Sequence, residues 1–305
     1  MHEALRLSGE LPRLRDPVLL AAFSGWTDQA GSAVATIRHL RREWDADLLA
    51  ELDPDYFYDF TADRPQVRLE GGARTIRWPR LRIYVARPQD AERDFLLLAG
   101  KEPSLRWQTL AEALTDLMRE LGGSTSIMLG ALGGAVPHTR PSPVMLWGAH
   151  RDLEAAFGLE STFSEYQGPV GFQNALAMHH TSLGWSSGFL FAMAPHYLTM
   201  GPHPNVVKSL VEALDRGFGT STSTDRLAGW NEEFERRIRA AMEQSEDTTR
   251  ASRYIEQLEA QYDASPPTAF GSRSEDGIGA SELPSSDEVI RGLEQFLRDQ
   301  RTEQG

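Results

Sequence analysis

The sequence predicts a doubly wound α/β domain followed by a helical extension, and three observations carry this prediction. Up to about residue 217, short continuous apolar runs alternate with segments of helical spacing. Gly and Pro residues separate the two kinds of segment. Beyond that point the apolar runs stop, and residues 226–262 combine helical spacing with an absence of proline.

Continuous apolar runs predict strands that are covered on both faces, as in a parallel sheet. The first run extends from Pro17 to Phe23 and ends at a Ser-Gly turn. The pattern places strands, in chain order, at residues 17–23, 45–52, 81–86, 94–99, 126–132 and 187–193. Residues 53–65 are expected to form a loop, and residues 67–69 and 74–78 are expected to pair as a small separate hairpin.

Apolar residues at intervals of three and four predict the helices between these strands. In chain order the helices are expected at residues 27–40, 107–121, 153–157, 171–180 and 205–214. The first helix is expected to begin at Thr27 or Asp28, because either side chain can cap a helix. The second is closed by Gly122 and Gly123.

The C-terminal part of the chain differs in character from the α/β part. Residues 226–262 predict two helices that are joined near Glu246 and Asp247. Ser, Gly, Pro and acidic residues then predict a flexible segment, and an apolar stripe at residues 289–297 predicts a short terminal helix. The expected organisation is a core domain at 1–217, a helical extension at 218–262 and a flexible tail at 263–305.

Composition excludes several classes of function. The chain has 31 Lys and Arg against 44 Asp and Glu, and its formal charge of −13 disfavours nucleic acid as a partner. It lacks a membrane-spanning apolar run and a signal-like start, so we expect a cytoplasmic protein without membrane contact. The absence of cysteine excludes thiolate chemistry. Neither a nucleophile elbow nor a nucleotide-binding glycine motif is present, and no cofactor is expected.

Two Pro-His turns, at His138 and His196, each follow a predicted buried strand. Ligands of open α/β sheets bind at the carboxyl ends of the strands, so both imidazoles are expected at that edge. They either take part in chemistry near neutral pH or hydrogen-bond two loops together. His179 and His180 point about 100° apart on a helix, so no metal site is expected there, and His203 is expected to be a solvated loop residue.

Further polar residues follow the other predicted strands. Asp28 lies at a helix N-terminus that attracts anions, although it can equally cap that helix. Glu102 and Arg106 can clamp a substrate, or they can form an ion pair that holds their turn. The candidate catalytic residues are His138, His196, Glu102 and Glu165. The candidate ligand or contact rim comprises Trp26, Asp28, Lys101, Arg106, Arg140, Tyr166 and Tyr197.

Five strand-end segments together resemble the proteasome assembly chaperone 2 family, particularly its actinobacterial members. They are FSGWTDQAGSA at residues 23–33, GKEPSLRW at 100–107, LGAL at 129–132 with VPHTRP at 136–141, YQGPVG at 166–171, and PHY at 195–197. The resemblance spans residues 17–217 and implies a three-layer α/β/α core like that of the phosphorylase and peptidyl hydrolase group. It also implies an assembly role, because relatives in eukaryotes and archaea help to assemble proteasome α rings.

Two functional hypotheses follow. The first is an interaction or assembly protein that forms a homo-oligomer, with a trimer as the working expectation, and binds a macromolecular protein partner. The second is a small-molecule binder or an enzyme of the hydrolase or phosphorylase type, which would use the His, Arg and Glu residues of the strand ends. The missing catalytic motifs favour the first hypothesis.

Overall fold

A computed structural model describes residues 2–28, 30–163, 166–198, 201–243 and 248–264. The strands are β1 (Leu5–Leu7), β2 (Val18–Ser24), β3 (Asp47–Leu52), β4 (Gln66–Glu70), β5 (Ala73–Arg77), β6 (Leu81–Ala86), β7 (Phe95–Lys101), β8 (Thr125–Gly134), β9 (Val144–Trp147), β10 (Ser161–Thr162) and β11 (Ser186–Pro195). The helices are α1 (Ser32–Glu43), α2 (Pro54–Phe57), α3 (Trp107–Glu120), α4 (Arg151–Phe157), α5 (Phe172–Ser182), α6 (Pro204–Phe218), α7 (Asp225–Glu243) and α8 (Thr248–Ala264).

Nine strands form one mixed sheet in the order β1-β3-β6-β7-β2-β8-β11-β9-β10. The four central strands, β7, β2, β8 and β11, run parallel to one another. Strands β6, β3 and β1 extend the sheet antiparallel on one side, and β9 pairs antiparallel with β11 on the other. The predicted doubly wound α/β architecture is therefore confirmed at the centre of the sheet.

Helices cover both faces of the sheet and create two large apolar layers. Helices α3 and α5 pack on one face, and α1, α4 and α6 pack on the other. Along β2, Leu19 and Phe23 face the first layer while Leu20 faces the second. This alternation explains the unbroken apolar run, because every side chain of a doubly covered strand is buried. The core is thus the three-layer sandwich that the family resemblance implied.

The parallel register brings the predicted turns to one edge. Gly134 at the end of β8 lies opposite Pro195 at the end of β11, so both Pro-His turns leave the sheet side by side. Ser24 at the end of β2 pairs in the same way with Lys101 at the end of β7. The carboxyl ends of all four central strands therefore share one edge, as the sequence predicted.

Helices α7 and α8 form a smaller apolar layer against this edge. Tyr197 and Leu198, which follow β11, pack with Ile238 of α7 and Leu258 of α8. The two helices were predicted over residues 226–262, and both are present. The division of the chain into three domains stays a prediction, and residues 265–305, which include the expected terminal helix, lie outside the described residues.

Several predicted boundaries were wrong. Helix α1 begins at Ser32 and not at Thr27 or Asp28, because residues 25–28 first form a turn that bridges to Ala131 of β8. The expected loop after Asp53 contains the short helix α2. Strands β1, β9 and β10 were missed, because strands of two to four residues are too short to show a periodicity, even where every residue is apolar as in β9.

Gly130 allows the turn after β2 to approach β8 closely. A Cβ at this position would lie 2.2 Å from the ring of Phe191 and 3.0 Å from the carbonyl oxygen of Thr27. That carbonyl accepts the backbone N–H of Ala131 at 2.8 Å, which ties the turn to the sheet. A side chain at position 130 would therefore displace both an aromatic ring and a backbone contact.

We expect Gly130→Ala to lower the free energy of unfolding by about 1–3 kcal/mol, because the added methyl group overpacks the core. Urea denaturation followed by circular dichroism measures the change. Gly9→Ala is the matched control, since no atom lies within 4 Å of a Cβ at that position, and it should change the value by less than about 0.5 kcal/mol. Equal stability of the two variants would contradict the proposed close approach.

Candidate functional site

The strand-end edge has two halves that differ in exposure. The Pro-His half, defined as residues 135–141 and 195–198, lies at the ends of β8 and β11 and packs against α7 and α8. The other half lies at the ends of β2 and β7. Its open rim is defined as the residues around Glu102, namely Trp26, Lys101, Leu105, Arg106, Tyr166 and Val170.

In the Pro-His half, the hydroxyl of Tyr197 connects the two turns. It accepts the backbone N–H of His138 at 2.9 Å and lies 2.7 Å from Nδ1 of the same residue. The hydroxyl thus binds both the backbone and the ring of His138. Burial lowers the pKa of His138 and so favours the neutral imidazole.

His196 ties the sheet to the helical extension. Its Nδ1 donates to the carbonyl oxygen of Gly134 at 3.0 Å, and its Nε2 accepts the hydroxyl of Tyr254 at 3.0 Å. Tyr254 belongs to α8, and its ring also meets Tyr197 edge to face. Both ring nitrogens of His196 thus bind partners within the chain. The two histidines lie close together, as predicted, and their hydrogen bonds join the two turns to each other and to α8.

Arg140 fixes the other end of α8 to the first Pro-His turn. Its guanidinium donates two hydrogen bonds of 2.8 Å to the carboxylate of Asp263. Thr139 donates to Glu259, and the hydroxyl of Tyr262 donates to the carbonyl of Pro141 at 2.8 Å. Arg140 therefore contacts α8, and its place in a ligand or contact rim stays a prediction.

His203 is buried, which corrects its expected place in a solvated loop. Only 2% of its surface is exposed, and its ring meets Phe234 of α7 edge to face at 5.3 Å. Its Nε2 donates to the carbonyl of Leu198 at 2.9 Å, while Nδ1 has no partner among the described residues. Burial lowers the pKa of His203 to about 4. The burial of His203 could not be predicted from its local sequence, because it results from α7 covering the turn between β11 and α6.

A cleft of about 260 Å³ lies between α7, α8 and the first Pro-His turn. Its apolar wall includes Met242 and Ile255, and its polar wall includes His138, Glu235, Arg239 and Glu256. The cleft therefore lies where the helical extension meets the first Pro-His turn.

At the other half of the edge, Asp28 binds the start of α1. Its carboxylate accepts the backbone N–H groups of Ala33 and Val34 at 2.9 and 3.0 Å. Only 1% of Asp28 is exposed, and burial raises the pKa of its carboxyl above the ordinary value. Asp28 thus satisfies the helix N-terminus itself and, like Tyr197, is buried; the place of these two residues in a ligand or contact rim stays a prediction.

Glu102 serves the N-terminus of α5 in the same manner. Its Oε1 accepts the backbone N–H of Phe172 at 2.6 Å. The side chain fits between two glycines, since a Cβ on Gly171 would lie 2.7 Å from Oε1 and one on Gly25 would lie 3.7 Å from Oε2. The carboxylate of Glu102 therefore connects its own turn, after β7, with the turn after β2 and with the start of α5.

The cations beside Glu102 have other partners, so the expected ion pair with Arg106 is not formed. Lys101 pairs with the buried carboxylate of Asp63, which also accepts the hydroxyl of Ser104 at 2.8 Å. The Arg106 guanidinium lies 5.1 Å from the ring centroid of Tyr56, in cation–π contact. Asp63 was missed by sequence reasoning because it lies in the irregular segment after α2, without any periodic signal.

Exposed apolar side chains surround Glu102 on the open rim. Trp26 is 60% exposed, and Leu105, Tyr166 and Val170 are exposed as well. The hydroxyl of Tyr166 donates to the carbonyl of Pro169 at 3.0 Å, which shapes the loop before α5. The candidate acid Glu165 lies outside the described residues. An apolar rim of this kind is suited to contact with another macromolecule.

The described residues contain no group of three His, Asp or Glu side chains that could hold a metal ion. His180 is buried and bonds to Ser126 Oγ through Nδ1 at 2.8 Å, and its ring stacks on Trp185. In the part of the chain that the structure describes, no helix is long and apolar enough to cross a membrane.

The partners from α8 were also missed by sequence reasoning. Arg140 and Asp263 lie 123 residues apart, and His196 and Tyr254 lie 58 apart. Glu259 and Tyr262 lie on one face of a predicted helix, which is the signal that was available. Asp263 was predicted to belong to the flexible tail, whereas α8 extends to Ala264. The helical spacing could not identify the surface that this face contacts.

Comparison of the chain with known protein families identifies the family to which it belongs. The model of the PAC2 family matches residues 22–242, a range that includes the ends of all four central strands. The chain belongs to the PAC2 family. The resemblance predicted from the five strand-end segments is thereby confirmed. None of the curated proteins compared with this PAC2 protein is detectably similar to it.

Solved structures of similar proteins include actinobacterial members of the family. A PAC2 family protein from Streptomyces avermitilis is 33% identical, covers 79% of this chain and all (100%) of its own, and superposes with a TM-score of 0.67. A proteasome-assembly chaperone homologue from Mycobacterium tuberculosis is 30% identical over 78% of this chain and 99% of its own, with a TM-score of 0.67. A protein of unknown function from Mycobacterium tuberculosis is 28% identical over 87% and 92%, with a TM-score of 0.76.

Tyr197→Phe tests the hydroxyl that joins the two Pro-His turns. We expect the free energy of unfolding to fall by about 1–3 kcal/mol, because the backbone N–H and the imidazole of His138 lose their shared partner. Urea denaturation provides the measurement. The control Tyr166→Phe removes a hydroxyl whose hydrogen bond to the Pro169 carbonyl is solvent-exposed, and it should stay within about 0.5 kcal/mol of the wild type. A Tyr197→Phe protein as stable as its control would argue against the network.

The buried His203 predicts a loss of stability in mild acid. Its folded pKa of about 4 lies below the ordinary value of about 6.5, so the unfolded chain binds more protons between these two values. The free energy of unfolding should therefore fall as pH is lowered through this window, by up to about 1.4 kcal/mol per pH unit for this residue. Urea denaturation at several pH values should give a shallower slope for His203→Gln; an unchanged slope would contradict the assignment.

Proposed function

We propose that this PAC2 protein binds other proteins during their assembly and does not convert a small molecule. The proposal is carried by one observation: carboxylates of the chain itself fill two helix N-termini at the strand-end edge, Asp28 at α1 and Glu102 at α5. In open α/β sheets such N-termini bind anionic ligands. An incoming phosphate or carboxylate would meet a negative charge at both places.

The Pro-His half supports the same proposal. The ring nitrogens of His196 and the Nδ1 of His138 are engaged by Tyr197, Tyr254 and Gly134, which are groups of the chain itself. These contacts hold α8 on the sheet edge. The enzyme hypothesis requires an imidazole that faces a nucleophile or a substrate. The imidazole that meets a serine hydroxyl is His180, at Ser126, and both residues are fully buried at the start of β8, away from the strand-end edge.

The open rim supplies the contact surface for a partner. Trp26, Leu105 and Val170 are exposed. Trp26 and Leu105 lie in the turns that follow β2 and β7, and Val170 lies in the turn that precedes α5. Exposed aromatic and aliphatic side chains on rigid supports carry most of the binding energy in protein interfaces. The rim is therefore the part of the molecule that we assign to partner binding.

The identity of the partner is proposed from the family. The Mycobacterium tuberculosis relative that is 30% identical is a proteasome-assembly chaperone homologue. We extend this role to the present chain and propose that it binds ring-forming proteasome α subunits of its own cell. We further propose that it acts in the cytoplasm and self-associates, with a trimer as the expected form.

Binding to purified α subunits of the same host tests the proposed function. We expect the full chain to co-elute with them in size-exclusion chromatography and to change the rate at which they form rings. The double variant Trp26→Ser/Val170→Ser should weaken binding by about tenfold or more, because it removes two exposed apolar anchors from the rim.

Met178→Ser is the matched control, since this exposed apolar residue lies on α5 and outside the open rim. It should bind as the wild type does. Absence of co-elution together with an unchanged rate of ring formation would overturn the proposed partner. Equal weakening by the control would overturn the assignment of the rim.

A further inference from the structure

The β4–β5 hairpin carries an apolar face that the described residues leave uncovered. Val67 and Leu69 point to the same side of β4, and Ile76 of β5 stands directly opposite Val67. Their exposed fractions are 53%, 76% and 55%. An isolated two-stranded hairpin is only marginally stable in water, so a face of this kind gains stability when another surface covers it.

The hairpin is also a basic part of an acidic chain. Residues 66–77 contain three arginines and one glutamate, a local charge of +2. The rest of the chain carries a formal charge of −15, which together with the hairpin gives the total of −13. Arg74 stands opposite Leu69 on the apolar face, so this face combines aliphatic side chains with a guanidinium. Its complement is a surface that combines apolar and acidic side chains.

The base of the hairpin is held in place. Trp78, which follows β5, packs on Phe60 with ring centroids 4.8 Å apart. Across the two strands, Arg77 forms an ion pair with Glu70 at 3.2 Å. The hairpin is therefore presented in a defined conformation, with its apolar face directed to solvent.

The cleft between α7 and α8 provides the complementary chemistry on the same chain. Ile255 contributes an apolar wall, and Glu235, Glu256 and Arg239 contribute charges. Arg239 pairs with Glu235 at 3.9 Å, whereas Glu256 forms no ion pair with the described residues and is the carboxylate available to an incoming cation. The cleft volume of about 260 Å³ suits the insertion of one or two side chains. Because the hairpin and the cleft are different surfaces, their contact between two copies is heterologous, and repetition of such a contact closes a ring when the rotation permits.

We propose that the apolar face of the β4–β5 hairpin of one copy docks into the α7–α8 cleft of a second copy, with Arg74 facing Glu256. The proposal rests on the self-association included in the proposed function and assigns the surfaces that produce it. Opposite charges at the contact select the register of the two copies, and the aliphatic side chains supply the buried area.

Light scattering on the full chain tests the hairpin. We expect an oligomer for the wild type and at least about tenfold weaker self-association for Leu69→Asp, because the carboxylate would be buried in the contact. Met178→Asp, which places the same charge on an exposed apolar position of α5, should associate as the wild type does. Circular dichroism verifies that each variant is folded.

Charge reversal tests the cleft. Arg74→Glu and Glu256→Arg should each weaken self-association, and the double variant should restore it, since the two charges are exchanged. Weakening by both single variants without restoration would overturn the cleft as the acceptor. An oligomer that survives Leu69→Asp would overturn the hairpin as the interface.

The outcomes also separate this proposal from the proposed function. A wild-type monomer would overturn the self-association and the docking surfaces together, while co-elution with α subunits would still support partner binding. A monomer that binds vesicles of anionic phospholipid through Leu69 would instead assign the hairpin to a lipid surface and overturn the proposal. Loss of α-subunit binding in a protein that still oligomerises would affect the proposed function alone.

Discussion

The parallel pairing of β8 with β11 is the constraint on which the rest of this PAC2 structure depends. Their ten-residue register places Gly134 opposite Pro195, and this fixes both Pro-His turns within hydrogen-bonding distance of each other. From that point, Tyr197 can reach His138 and His196 can reach Gly134. A shift of one residue would turn the alternate buried side chains toward the opposite layer and separate the turns.

At the strand-end edge, where open α/β sheets often bind ligands, the chain occupies two helix N-termini with its own carboxylates. Every helix N-terminus exposes backbone N–H groups that need acceptors. Here Asp28 and Glu102 supply them from within the chain, and the glycines at positions 25 and 171 leave the room that Glu102 requires. The free backbone N–H groups at this edge thus find acceptors within the chain. The exposed outer surface of the edge includes apolar side chains such as Trp26.

Most of the central fold could be predicted from the sequence, because doubly covered strands and amphipathic helices leave strong local patterns. The turn from Gly25 to Asp28 could not, since it depends on a bridge to Ala131 in a strand that is distant in sequence. The strand-end location of His138 and His196 was predictable from the order of elements. Their partners on α8 were not, because helical spacing reveals a face and not the surface that it contacts.

The small apolar layer beneath α7 and α8 has a consequence for how the molecule opens. Ile238 and Leu258 pack with Tyr197 and Leu198, apart from the two large layers of the sheet. Structural units with little buried apolar surface unfold locally at a lower free energy than the whole protein. Leu227 of α7 belongs to the second large layer, whereas the apolar residues of α8 pack in the small one. We therefore expect α8 to undock at a lower free energy than α7, which would expose His196 to solvent while the sheet stays intact.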